Sequence, residues 1–365
     1  MIQNKTYPKK IFYGRLIRSK CLIMKILYAL QCTGNGHIAR AQELLPILKK
    51  YADVDLLTSG HQSQMELPQE PKYKFGGISL LYDSKGGLSY MKTALGNNFL
   101  NALKDIKSVP VEGYDLIIND FEPISAWACK LKKYKNIIGI SHQASMLFEK
   151  TPKPEKRSFL GEQVLKYYAP VQKSFGFHFE SYHPQIFTPI IRSAIRELKP
   201  KNKGYYMTYL PSFSDEYLIE RLNETHADWR IFSKTAKEIY VSGNVFVFPI
   251  DQEEYLRSFE NCAGILTNAG FETPAEALFL KKKLFVIPIK NQYEQECNAV
   301  ALEKLGVPSS GDLDLRKIQE WIDAEYFVEA KYEDKSKEVI QKVMNFARGE
   351  YSVQTGINHA DPIVI

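Results

Sequence analysis

The segment 264–306 holds the residues whose types and spacing can do the most specific chemistry. An apolar run at 264–267 leads into Asn268-Ala269-Gly270-Phe271 and then a helical stretch at 272–280. A second apolar run, 284–288, passes through the loop 289–295 into a helical stretch at 296–305. A glycine at 270 lets the backbone turn sharply and come close to a ligand. The helix that follows presents free N–H groups at Phe271, Glu272 and Thr273, where a diphosphate can be held without a metal. Thr273 adds a hydroxyl donor. Glu276, one turn further in, can take both hydroxyls of a ribose. Glu294 and Gln295 can hydrogen-bond sugar hydroxyls. Each residue also has a plainer use: Thr273 as a helix cap, Glu276 as a solvated helix residue, Glu294-Gln295 as a surface loop or N-cap.

A second group lies near the start of the chain, where Gly34-Asn35-Gly36-His37 follows the first apolar run. The glycines open the backbone toward a cleft, and His37 stands at the start of the next helix. Histidine titrates near neutrality, so it can take a proton from an attacking hydroxyl, help worth about 10²–10⁴-fold in rate. A histidine that only shapes the loop is the alternative. Arg40, one turn on, can meet a carboxylate or phosphate, or can stand at the surface. The full Gly-x-Gly-x-x-Gly of dinucleotide binding is absent, because Ala39 occupies the last place. Ser141-His142-Gln143 ends a later apolar run, so His142 can contact acceptor or phosphate unless it is a satisfied core histidine.

In order and spacing, Gly270, Thr273, Glu276, Pro288, Glu294-Gln295 and Asn298-Ala299 resemble the donor-binding segment of GT-B glycosyltransferases. That group covers the family 28 enzymes, including the N-acetylglucosaminyltransferase of peptidoglycan synthesis, and more distantly the plant and macrolide family 1 enzymes. The hexapeptide from Asn268 to Thr273 is similar to one in a set of uncharacterised bacterial glycosyltransferase-like proteins. Gly34-Asn35-Gly36-His37 resembles the first Gly-rich loop of family 28. The resemblance implies a donor site of Asn268, Gly270, Phe271, Thr273, Glu276, Glu294 and Gln295. It places Gly34, Asn35, Gly36, Arg40, Glu122 and His142 on the acceptor or phosphate side. In plant family 1 enzymes the loop histidine is oriented by an aspartate at a later strand end. Asp120, in Asn119-Asp120-Phe121-Glu122-Pro123, has a comparable place. A His37–Asp120 pair is therefore expected, with Glu122 as the rival carboxylate and a strand-end cap as the alternative role for Asp120.

Three departures from the family pattern stand out. Asn268 occupies a position where plant enzymes have His and family 28 enzymes Arg. Glu272 sets a negative charge beside the expected diphosphate, favourable for the helix dipole but repulsive to phosphate unless it points away. Lys281-Lys282-Lys283 replaces the usual Gly- and Pro-containing turn and is expected to be a solvated turn.

The elements that must position these groups alternate. Short apolar runs at 24–30, 53–58, 114–119 and 136–140 are typical of buried parallel strands, with helical stretches at 38–50 and 125–131 between them. A new series begins at 205–210, and 331–348 reads as a final charged helix expected to cross back onto the first domain. The expected fold is α/β of GT-B type: two Rossmann-like, doubly wound parallel-sheet domains facing across a cleft. The expected divisions are a basic leader at 1–23, an acceptor-side domain at 24–190, a linker at 191–203, a donor domain at 204–350 and a tail at 351–365.

Composition agrees with two globular domains: 365 residues, 44% hydrophobic and 25% charged. Lys5, Lys9, Lys10, Arg15, Arg18 and Lys20 match the whole net charge of +6, so residues 24–365 sum to zero. A neutral body offers no stripe for nucleic acid, and no nucleic-acid partner is expected. The leader reads as an upstream start preceding Met24, as a disordered arm or as a weak membrane tether. It lacks the apolar stretch of a secretory signal. Five cysteines without a CxxC suggest neither disulfides nor zinc. Asp53-Val54-Asp55 and Asp312-Leu313-Asp314 match Asp-x-Asp but lie outside the context in which metal–nucleotide sites use it, so no metal and no cofactor is expected. The expected partners are a nucleotide-diphosphate sugar, with UDP first, and an unidentified acceptor hydroxyl on a lipid-linked or cell-envelope glycan. The expected reaction is transfer of a hexose-type sugar with inversion, in the cytoplasm or peripherally at the inner membrane face. The stretch 90–107 is amphipathic, with Met91, Leu95, Phe99, Leu100 and Leu103 available either for core packing or for such contact. A non-hydrolysing UDP-sugar epimerase and a non-catalytic nucleotide-sugar-binding protein are the alternatives.

Overall fold

The computed structural model describes residues 23–60, 65–78, 93 and 96–350. The leader up to residue 22, the tail 351–365, and Met91 and Leu95 lie outside the described residues.

The first sheet is built from β1 (Met24–Gln31), β2 (Ala52–Ser59), β3 (Tyr73–Phe75), β4 (Leu116–Asp120), β5 (Ile137–Ser141), β6 (Ser174–Phe177) and β7 (Ile186–Phe187). Its order is β3-β2-β1-β4-β5-β6-β7, and every pairing is parallel. Helices α1 (Asn35–Leu48), α2 (Phe99–Ser108), α3 (Pro123–Leu131), α4 (His142–Ser145) and α5 (Phe159–Tyr167) lie between these strands. The order reverses at β1, whose two neighbours are β2 and β4. In open α/β sheets ligands bind at such a point, outside the carboxyl ends of the strands. Ile26 to Leu30 are fully buried, because helices cover both faces of the strand.

The short helix α6 (Ser193–Arg196) lies between the two sheets. The second sheet has β8 (Tyr206–Tyr209), β9 (Trp229–Ser233), β10 (Tyr240–Ser242), β11 (Val245–Pro249), β12 (Gly264–Asn268) and β13 (Lys283–Ile287) in the order β10-β11-β9-β8-β12-β13. Only the edge pair β10–β11 is antiparallel. The helices of this half are α7 (Asp215–Leu222), α8 (Gln252–Asn261), α9 (Glu272–Phe279), α10 (Tyr293–Lys304) and α11 (Leu315–Asp323). The last helix, α12 (Ser336–Ala347), returns to the first half. It lies against α1, with Lys342 over the Phe187 ring and Phe346 under Lys173. A single apolar cluster runs from Ile26 and Phe177 through Phe271 and Val286 to Val339.

Two features differ from expectation, and a third selects between alternatives left open. Lys282 is not solvated: its ammonium donates to the carbonyls of Lys201, Glu260 and Cys262 at 2.6–2.8 Å and closes the lower end of β12. On α2 only Ala102 and Ile106 are buried. Phe99, Leu100 and Leu103 are 49%, 74% and 50% exposed, so they do not join the core. The neutral body also conceals a segregated patch. Lys130, Lys133, Lys135, Lys166 and Lys173 line a cavity of about 770 Å³ at the amino ends of β5 and β6, with no carboxylate among its lining residues. No helix among the described residues is long and apolar enough to cross a membrane.

Candidate active site at the domain interface

The carboxyl end of β1 runs directly into the Gly-rich loop. Gly34 is extended, at φ −152°, and α1 begins at Asn35 with no side-chain cap. This sets His37 in the first turn, facing the end of β4. There His37 Nδ1 lies 2.8 Å from Asp120 Oδ1. Arg40, one turn along α1, donates from Nε to Asp120 Oδ2 at 2.9 Å and from Nη2 to Asp120 Oδ1 at 3.0 Å. Asp120 is fully buried. Burial works against its charge, but Arg40 and His37 outweigh that and hold its carboxyl below the usual range. A carboxylate accepting at His37 Nδ1 fixes the tautomer with the proton there and leaves Nε2 as the basic nitrogen. The turn that presents Asp120 is unusual: Phe121 sits at φ 53°, in the left-handed region, with its ring stacked on Tyr168. Such conformations cost about 1–3 kcal/mol and gather at functional sites.

On the facing side α9 follows β12. No side chain caps its start at Phe271, and an added Cβ at Gly270 would meet open space within 4 Å. Gly270 has no positive φ, so the turn itself does not demand glycine; what glycine leaves there is room. Glu272 reaches across the interface, its Oε1 accepting from Arg40 Nη1 at 3.0 Å. An added Cβ at Gly36 would lie 2.9 Å from Glu272 Cγ, so glycine at 36 permits the close approach of the two halves. Glu276 is buried and held by Arg192, with Nε donating to Oε1 at 2.5 Å and Nη2 to Oε2 at 2.8 Å. A cavity of about 280 Å³ opens between the halves, with Asn35, Gly36, Arg192, Tyr255, Thr273 and Glu276 in its lining.

The family described as Glycosyl transferase family 1 matches residues 24–324. The chain belongs to that family. Its fold is shared by the glycosyltransferase of kitacinnamycin, at 14% identity, a TM-score of 0.56, and coverage of 90% of this chain and 95% of that one. It is shared too by a UDP-glucosyltransferase from Polygonum tinctorium, at 15% identity and TM-score 0.55, covering 92% and 96%. A third is Arabidopsis thaliana UGT89C1 complexed with UDP-L-rhamnose, at 16% identity and TM-score 0.51, covering 90% and 94%. No curated protein sequence matches the chain.

Several residues of this glycosyltransferase lie elsewhere than expected. Glu122 does not compete for His37. It is the N-cap of α3, accepting from the Ile124 and Ser125 amides at 2.7 and 2.6 Å, with Pro123 at the first helical position. His142 is buried away from the cavity. Its Nδ1 lies 2.8 Å from the Phe177 carbonyl and its Nε2 2.8 Å from Asn298 Oδ1, and its ring stacks on Phe271 at 3.9 Å. It pins the two halves together, and burial lowers its pKa. Gln295 turns back on its own loop and accepts from the Ile289 amide at 2.9 Å. Glu294 accepts from Gln143 across the interface at 3.0 Å. Asn268 donates to the Ile287 carbonyl at 2.9 Å and meets the Ser212 hydroxyl. Asn298 donates to the Ala269 carbonyl at 3.0 Å and so steadies the turn before Gly270. Thr273 lies in the cavity wall beside Tyr255.

Arg192 is the residue that sequence reasoning missed. It precedes α6, whose first residue, Ser193, is bound through its amide and hydroxyl to the Glu43 carboxylate on α1 at 2.8 and 2.7 Å. Its place in an expected linker gave no sign of a partner 84 positions away.

Proposed function

We propose that this glycosyltransferase moves a hexose-type sugar from a nucleotide diphosphate, UDP in the first instance, to an acceptor hydroxyl, with inversion and without a metal. The observation that carries this is the 2.8 Å His37–Asp120 pair, opposite an uncapped helix start with open space at Gly270. The N–H groups at the start of α9 hold the diphosphate. Two of the lone pairs on Glu276 are engaged by Arg192, and the others remain for the ribose hydroxyls. His37 Nε2 takes the acceptor proton while Asp120 stabilises the imidazolium that forms. Inversion follows from a single displacement, in which the activated hydroxyl attacks the anomeric carbon from the face opposite the departing diphosphate. The UDP-sugar named with the Arabidopsis protein and the donor named with the Polygonum protein support UDP. The exposed Phe99, Leu100 and Leu103 on α2 support an acceptor presented by a lipid or a membrane face; the proposed location is the cytoplasm, peripherally at that face.

A thermal-shift panel of nucleotide sugars tests the donor. A binder at 100 times its Kd adds about 2.7 kcal/mol of stability, with a corresponding rise in Tm. Product analysis with the best binder and candidate acceptors then tests the transfer. A sugar released only as its epimer, with no acceptor consumed, would replace transfer by epimerisation, and binding with no turnover at all would make the chain a sensor.

A further inference from the structure

Glu272 is the first residue of α9, at the point where the helix dipole favours an anion. Its side chain does not cap its own helix. It crosses instead to Arg40 Nη1 at 3.0 Å, with only 19% of the side chain exposed. The charged groups around it come from every element packed there: Arg40 from α1, Asp120 from β4, Glu276 from its own helix and Arg192 from the segment before α6. Asp120, Glu272 and Glu276 are three carboxylates against two guanidiniums, with His37 beside Asp120 and with Asp251 and Tyr255 in the wall of the same cavity. The diphosphate of a nucleotide sugar brings two further negative charges. Excess negative charge in a partly buried site is disfavoured unless one group takes a proton. Asp120 is secured by Arg40 and His37, and Glu276 by a bidentate arginine. Glu272 has one hydrogen bond from Arg40.

Resting on the donor site proposed above, we propose that Glu272 is a donor-exchange residue that stands in for the diphosphate on Arg40 in the empty cleft. When a donor binds, the Glu272 carboxylate takes a proton from solvent and releases Arg40 Nη1 to a phosphate oxygen. The neutral acid then has an O–H to donate to the phosphate. Arg40 keeps both of its bonds to Asp120, so donor arrival leaves the His37–Asp120 pair aligned. Burial raises the Glu272 carboxyl to about 7, with Arg40 opposing and Glu276 and Asp120 adding to the rise, so the exchange falls in the neutral range.

The test is calorimetric titration of UDP-glucose and UDP-N-acetylglucosamine, whose phosphodiester oxygens do not titrate here, from pH 6 to 8.5 in two buffers of different ionisation enthalpy. Wild type should take up about half a proton per donor near pH 7, rising close to one by pH 8 and above, where affinity falls about tenfold per pH unit. Glu272→Gln keeps the shape of the side chain and should bind with a flat pH profile, about ten- to thirtyfold tighter than wild type at pH 8.5. Glu272→Asn, shorter but equally neutral, should follow it. Binding by wild type and Glu272→Gln with the same pH slope assigns the proton to His37 or another group and overturns the inference alone. Binding of neither sugar nucleotide by either protein removes the donor site itself, and this inference with it.

Discussion

The two halves of the cleft are stabilised in different ways. On the first-domain side, His37, Arg40 and Asp120 come from α1 and the end of β4 and satisfy one another within about 3 Å. The aspartate is fully buried and the turn carrying it is fixed by the Glu122 cap next to it. On the second-domain side, α9 starts uncapped. Its two carboxylates are held by cations from outside that domain: Glu272 by Arg40 and Glu276 by Arg192. His37, the proposed base, is thus oriented before any substrate arrives, as electrostatic preorganisation requires. The proposed donor half borrows its counter-charges, and on that proposal a bound nucleotide exchanges with them. Chemistry and donor capture should therefore fail separately when each half is damaged.

The largest expected effect is on chemistry. His37→Ala should lower kcat by about 10²–10⁴-fold, the usual worth of a general base, with donor affinity by calorimetry unchanged. Asp120→Asn should lower kcat as well and shift the pH–rate profile, because an amide no longer stabilises the imidazolium. If either substitution abolishes donor binding along with turnover, the two halves are not independent and the comparison breaks. Next in size is Arg192→Ala. It leaves Glu276 buried without its partner, a loss on the order of 3–5 kcal/mol, read as a lower denaturant midpoint. Removing both partners, in Arg192→Met with Glu276→Leu, should recover most of that stability while still abolishing donor binding. A double variant no more stable than Arg192→Ala would show that the pair does not carry the donor half.

Much of this architecture was legible in the sequence, and the exceptions have physical causes. The alternation of buried runs and helices gave both sheets, because parallel strands covered on two faces read as unbroken apolar stretches. Asp120 could be found because strand ends and the switch point in strand order are places that topology fixes. Glu122 was misassigned although a signal was present: Glu before Pro at a helix start is a cap, and Pro123 supplies the fixed φ that completes it. Gln295 and His142 lie where expected along the chain, but side-chain direction decides their partners, and direction is set by neighbours over a hundred positions away in the case of His142. Arg192 had no local pattern at all. Lys282 looked like its solvated neighbours and is distinguished only by the three carbonyls that converge on it.

The smallest expected effect separates the two halves by pH. The two carboxylates that Arg40 joins are shifted in opposite directions. Asp120 is depressed, so the stability it contributes is present above its unfolded pKa and is lost as acid carries the pH down through the folded value. Glu272 is raised from 4.5 to about 7 by burial, so across that interval the folded protein binds more protons than the unfolded chain. Stability then falls as pH rises from about 4.5 to 7 and levels off above. Glu272→Gln removes the second effect and leaves the first. Melting temperatures of the empty protein should therefore show wild type and Glu272→Gln running together at pH 4.5 and separating by a few degrees toward pH 8, the variant being the more stable. Parallel curves across the whole range would mean that the Arg40 contact fully compensates the burial of Glu272, and that the donor half is as well prepared for its charges as the base half.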